Sequence, residues 1–142
     1  KTQAIAQHFS WVHSVDRLKI AQRLNDARPI DLPPLQICIQ INISHEESKS
    51  GVAPEALLAL ASEISHLPRV KLRGLMAIPA PTQDIAVQRE QFKQVRLCYE
   101  ALNAKGFALD TLSIGMSDDY PIAIEQGATI VRIGAAIFGA RR

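Results

Sequence analysis

No apolar run in this 142-residue chain approaches the ~20 residues needed to cross a bilayer. Its opening residues, KTQAIAQHF, carry no secretory signal pattern, so a cytoplasmic protein with no membrane contact is expected. Charge of one sign is also scarce. Sixteen Lys and Arg stand against 14 Asp and Glu, a formal net charge of +2. That balance supplies no basic footprint for nucleic acid. There are only two cysteines, Cys38 and Cys98, and they fit no metal-ligand spacing. Each lies in an apolar periodic segment, which reads as a buried, reduced thiol. The four histidines are scattered, and there is no Walker-type loop and no Ser-His-Asp or Cys-His arrangement. What the chain does have is a 47% hydrophobic fraction with 21% charge, enough to bury a core as one domain over residues 1–142.

Periods of two and of 3.6 alternate along it. Residues 1–9 carry a helical pattern with Ala4, Ile5 and Phe9 on one side. WVHSV at 11–15 is a strand, and Asp16 is placed to cap a helix whose apolar face is Leu18, Ala21, Leu24 and Ala27. LQICIQINI at 35–43 sets Leu35 and four isoleucines on one face and Gln36, Cys38, Gln40 and Asn42 on the other. Pro54 opens a helix with Leu57, Leu58, Ala61 and Ile64 inward. VKLRGLMAI at 70–78 is the next strand. Asp84 caps a long helix with a stripe of Gln88, Phe92, Val95, Tyr99 and Leu102, ended by Gly106. LDTLSIGMS at 109–117, a short helix over 119–126 and the strand TIVRIG at 129–134 complete the series.

Alternation at this spacing reads as parallel βα units. Two architectures remain, an open doubly wound sheet and a barrel. A central strand of an open sheet is covered on both faces and tends to be apolar throughout. Residues 35–43 instead carry Gln40 and Asn42 on one face, as the inner wall near a barrel mouth does. The expectation is therefore an α/β barrel of the (β/α)8 TIM type. Five strands are too few to close one, so about three units would precede Lys1.

GMSDD at 115–119 and VRIG at 131–134 end the last two strands, where barrels of this type often place a phosphate site. Ser117 offers a hydroxyl, and Gly134 lets backbone amides approach an anion. Plainer readings stand beside these. Ser117 could be an ordinary helix cap, Gly134 a strand-end glycine, and Arg132 the partner of Asp118 or Asp119. Met76 could be core, His13 a satisfied core histidine and Lys49 a solvated lysine. Asp118 and Asp119 are adjacent, so they project differently and suit capping better than acid/base work.

WVHSVDRL, INISHEESKSG, LRGLMAIPAP, SIGMSDDYPIAI and VRIGAAIFGAR together resemble the pyridoxal phosphate homeostasis protein family over essentially the whole chain. That family is similar in fold to the barrel domain of alanine racemase and is thought to bind and buffer pyridoxal 5'-phosphate (PLP) without catalysis. The resemblance implies that Ser117 donates to the PLP phosphate and that the amides of Gly134 and Ala135 cradle it. It implies that Arg132 faces the pyridine nitrogen and that Met76 lines the pocket near the ring. Asn42 and Lys49 fall in a family-like loop at the barrel mouth, with no definite role. The family holds PLP as a Schiff base on a lysine ending the first barrel strand, which is expected upstream of Lys1. Tyr120 stands at a position that varies.

The expected function is thus a PLP carrier in vitamin B6 homeostasis, monomeric, with PLP-dependent apoenzymes as its recipients. An arginine donates to the ring nitrogen and keeps it unprotonated, which makes the ring a weaker electron sink. The alternative is a PLP-dependent amino-acid racemase, which uses the same kind of arginine. Such an enzyme also needs a tyrosine from a separate C-terminal β-domain, and this chain stops at Arg142. A barrel enzyme for a sugar phosphate is a third reading, but it lacks paired carboxylates or a lysine base.

Overall fold

The computed structural model describes residues 2–44 and 50–134. Five strands alternate with helices along the chain. α1 is Thr2–His8, β1 Trp11–Val15, α2 Leu18–Ala27, β2 Leu35–Gln40, α3 Leu57–Ile64 and β3 Val70–Met76. They are followed by α4 Ile85–Ala104, β4 Thr111–Met116, α5 Tyr120–Glu125 and β5 Ile130–Arg132. A single 3-10 turn, Pro54–Ala56, precedes α3.

All pairings are parallel, and the strand order is β1-β2-β3-β4-β5. That order decides the architecture. A doubly wound sheet reverses direction at a switch point, whereas a barrel adds each strand beside the last. The sheet here never reverses, so it is an arc of a barrel. Leu35, Ile37 and Ile39 of β2 lie in one core cluster with Leu24, Leu60, Ala61, Ile64, Phe92 and Val95 from the helices. This is the outer layer. Gln36, Cys38 and Gln40 alternate with them and face inward.

The pairing of β2 with β3 passes from Ile37↔Leu72 to Cys38↔Gly74, so Arg73 is an extra residue in a bulge. Its guanidinium lies 4.7 Å from the Trp11 ring centroid, bonds Gln36 and holds both oxygens of Asp110, at 2.9 and 2.6 Å. The next residue must be glycine. A Cβ on Gly74 would lie 1.6 Å from the carbonyl oxygen of Thr111 on the neighbouring strand.

Helix α4 begins as expected, with Asp84 accepting from the amides of Ala86 (2.9 Å) and Val87 (3.3 Å). It ends at Gly106, whose φ of +94° suits glycine. Several sequence expectations are corrected. Asp16 does not cap α2. Arg17 occupies the N-cap position without a side-chain bond, and Asp16 instead accepts from the Gly51 amide at 3.0 Å. Phe9 and Ala4 are exposed and Ala6 is the buried residue of α1, because the helix ends at His8 and leaves Phe9 in the exit turn. Leu58 is exposed and Leu60 buried, since the 3-10 turn changes the phase in which α3 starts. The strands after residues 35, 70, 109 and 129 are each shorter than their apolar patterns. Among the described residues, no helix is long and apolar enough to cross a membrane.

Candidate functional site

The two segments singled out by sequence meet at the carboxyl ends of β4 and β5. Gly115 has φ +101°, and a Cβ there would lie 2.7 Å from that of Ala123. The missing side chain lets the GMSDD turn fold flat against α5. Asp119 then sits at the N-cap position of α5 but turns back, accepting from the Met116 amide at 2.7 Å. Ser117 is therefore not the cap of α5. Its hydroxyl oxygen accepts instead from the Gly134 amide at 3.2 Å, joining the two loops. A Cβ on Gly134 would meet nothing within 4 Å, so the space above it is open.

Arg132, on β5, is half-buried. Its Nη2 donates to the Ala77 carbonyl at 2.8 Å, and its Nε is buried with no hydrogen-bond partner among the described residues. Asp118 and Asp119 form no ion pair with it; Asp119 attracts it only at longer range. Burial pulls the guanidinium pKa below its usual value, and the Asp119 charge opposes that pull. A guanidinium stays charged regardless, so the unmatched Nε–H is a donor aimed at an acceptor that the described residues do not supply. Ala77 is in turn held by its own amide, which donates to the Ser113 carbonyl at 3.2 Å.

Met76 is buried at the end of β3, in register with Gln40 of β2 and Ser113 of β4. It therefore shares the inner face with them. His13 of β1 reaches across the interior, with Nδ1 3.0 Å from Ser113 Oγ and its ring edge-on to Trp11 at 5.9 Å. Desolvation first, and the Arg132 charge second, lower its pKa from the ordinary 6.5. It is thus neutral near pH 7, and it is partly exposed rather than a core histidine. Cys38 is buried on the same inner face, and burial pushes its thiol up to about 12, so it is inert as a nucleophile.

Ala135 and Lys49, both named from the sequence, lie outside the described residues. Asn42 closes the base of its loop by accepting from the amide and hydroxyl of Ser44. Tyr120 opens α5. The Ala77 carbonyl and Ser113 were not singled out by sequence. A main-chain acceptor leaves no residue signature, and Ser113 showed only as a polar residue in an apolar strand. Among the described residues no group of three or more His, Cys, Asp or Glu could hold a metal.

These features define an arc of a parallel α/β barrel with polar side chains gathered at the carboxyl ends of its strands. The chain belongs to the alanine racemase N-terminal domain family, which matches residues 1–142. It is 60% identical over 141 residues to the pyridoxal phosphate homeostasis protein of Pseudomonas aeruginosa, covering 99% of this chain. It is 53% identical over 141 residues to the protein of the same name in Escherichia coli K12. The chain spans 60% of the length of each of these relatives. Among solved structures, PipY of Synechococcus elongatus with PLP bound matches with TM-score 0.87 and 33% identity, over 98% of this chain and 65% of that one. Alanine racemase of Clostridium difficile matches at TM-score 0.79 with 16% identity, over 99% of this chain and 38% of that one, a likeness of fold. The motif resemblance and the barrel expectation are both borne out.

Proposed function

We propose that this chain is the C-terminal part of a single PLP-binding barrel domain, in a protein that buffers and carries PLP rather than transforming amino acids. The observation that carries the reading is the unmatched buried Nε of Arg132, close to the joined loops of Ser117 and Gly134. The donor set fits the cofactor. An arginine N–H suits the lone pair of an unprotonated pyridine nitrogen. A serine hydroxyl suits a phosphate, and the Gly134 amide would exchange its bond to Ser117 for one to the phosphate. Helix α5 has only six residues, so its dipole adds little and the hydroxyl and amides carry the phosphate contact. The amide of Ala135 would extend this cradle, and Met76 would lie along the ring. When bound, PLP supplies an electron sink whose strength falls if its ring nitrogen is unprotonated. Arg132 would hold the ring nitrogen in that weaker state.

The name shared by the relatives and the PLP in PipY support this reading. On it, the recipients are PLP-dependent apoenzymes, the protein is a cytoplasmic monomer, and a lysine upstream of Lys1 completes the site. The test is to extend the chain to its relatives' length, purify it, and record the visible spectrum and racemase activity with a panel of amino acids. A retained yellow cofactor without racemisation is expected. A colourless protein that cannot be loaded with PLP would refute the reading, and robust racemisation would replace it with the enzymatic one.

A further inference from the structure

β1 and β4 are separated by two strands and share no backbone pairing. Among the described residues the only hydrogen bond between them is that of His13 Nδ1 with Ser113 Oγ, at 3.0 Å. It crosses the inside of the arc. Ser113 is fully buried, and its carbonyl receives the Ala77 amide at 3.2 Å. The Ala77 carbonyl in turn receives Nη2 of Arg132 at 2.8 Å. A continuous series of polar contacts thus runs from His13 through β4 and the end of β3 to the guanidinium. Trp11 holds the imidazole from the side, and Arg73 holds Trp11 from below.

We propose that His13 is a positioning residue for Arg132: its bond to Ser113 clamps β1 to β4 and so sets the Ala77 carbonyl that orients the guanidinium toward a ring-nitrogen ligand. This inference rests on the PLP reading of the site. It goes beyond it by adding a residue from the opposite wall, which would not itself touch the ring nitrogen. The clamp needs one polar atom at the Nδ1 position. Asparagine supplies one at nearly the same place, and phenylalanine keeps the ring but removes it.

The test uses the chain extended to its relatives' length, with PLP as ligand. His13→Phe, His13→Asn, Ser113→Ala and the double variant His13→Phe/Ser113→Ala are compared by PLP dissociation constant, absorption maximum of bound PLP, and Tm. His13→Phe and Ser113→Ala are each expected to shift the absorption maximum and weaken PLP about 5- to 10-fold, as for one hydrogen bond. The double variant should match the singles, because both break the same link. His13→Asn should restore the wild-type spectrum. If His13→Phe fails to fold, the smaller change Ser113→Ala carries the same comparison with the wild type. A lowered Tm with unaltered spectrum and affinity would overturn the clamp, as would losses that multiply in the double variant. Failure of the wild type to hold PLP would overturn the underlying reading as well, and is seen before any variant is made.

Discussion

Among the described residues no carboxylate forms an ion pair with Arg132, and its Nε is a donor without an acceptor. Replacing it by glutamate would put a carboxylate at the ring nitrogen and favour the protonated ring. Arg132→Glu in the extended protein should therefore alter the absorption spectrum of bound PLP. Unchanged spectrum and affinity would remove Arg132 from the site. Ser117 tests the other end of the ligand. Losing one hydrogen bond to a charged group costs ~1.5–3 kcal/mol, so Ser117→Ala should weaken PLP about 10- to 100-fold. Pyridoxal, which lacks the phosphate, should be little affected in equilibrium titrations. Equal losses for both would leave Ser117 as a loop fastener to Gly134. His13 has a pH signature of its own. Its pKa is lowered in the fold, by burial and then by Arg132, so the unfolded chain binds more proton on it. Stability contributed by this group is complete above the ordinary 6.5 and is lost as pH falls through the window below that value. Denaturation midpoints measured down from pH 7 should fall less steeply in His13→Asn than in the wild type.

At the scale of single elements, the helix and strand sequences foretold most of what forms. Leu35, Ile37 and Ile39 alternate in the sequence and are all fully buried against the helices. Gln88, Phe92, Val95 and Leu102 follow the helical period and are all buried in α4. Asp84 was readable as a cap because its carboxylate acts on amides two and three residues ahead. Asp84→Ala should cost ~1 kcal/mol in equilibrium unfolding. Asp16 looked the same locally, yet its carboxylate is taken by Gly51, 35 residues away. No local pattern contains that competition. The bulge at Arg73 was equally hidden, since it arises from the register between two strands. Of the described glycines, Gly74 next to it has the closest neighbour to an added Cβ. Gly74→Ala should destabilise by ~1–3 kcal/mol or more, because the clash is with backbone and no side chain can yield.

At the scale of the whole molecule, β1 and β5 each pair on one side only among the described residues, and the inner wall between them carries polar side chains. Unpaired strand edges invite association. The 142-residue chain alone is therefore expected to elute as oligomers or aggregates in size-exclusion chromatography. It is also expected to acquire only scattered low-level lysine labelling when mixed with PLP and reduced by borohydride. One stoichiometric adduct on Lys1, Lys19, Lys49, Lys71, Lys93 or Lys105, mapped by mass spectrometry, would relocate the site. The sequence by itself determined the alternation of strands and helices, the outer core and the two motif-bearing loops, because these follow from periods of 2 and 3.6 and from turn residues acting over a few positions. Only the tertiary structure decided between barrel and open sheet, because strand order is a relation among all five strands. It alone brought Ser117 to Gly134, left Nε of Arg132 unmatched and set His13 against Ser113, 100 residues away. Such contacts depend on the curvature of the sheet, which carries no local signature in the order of residues.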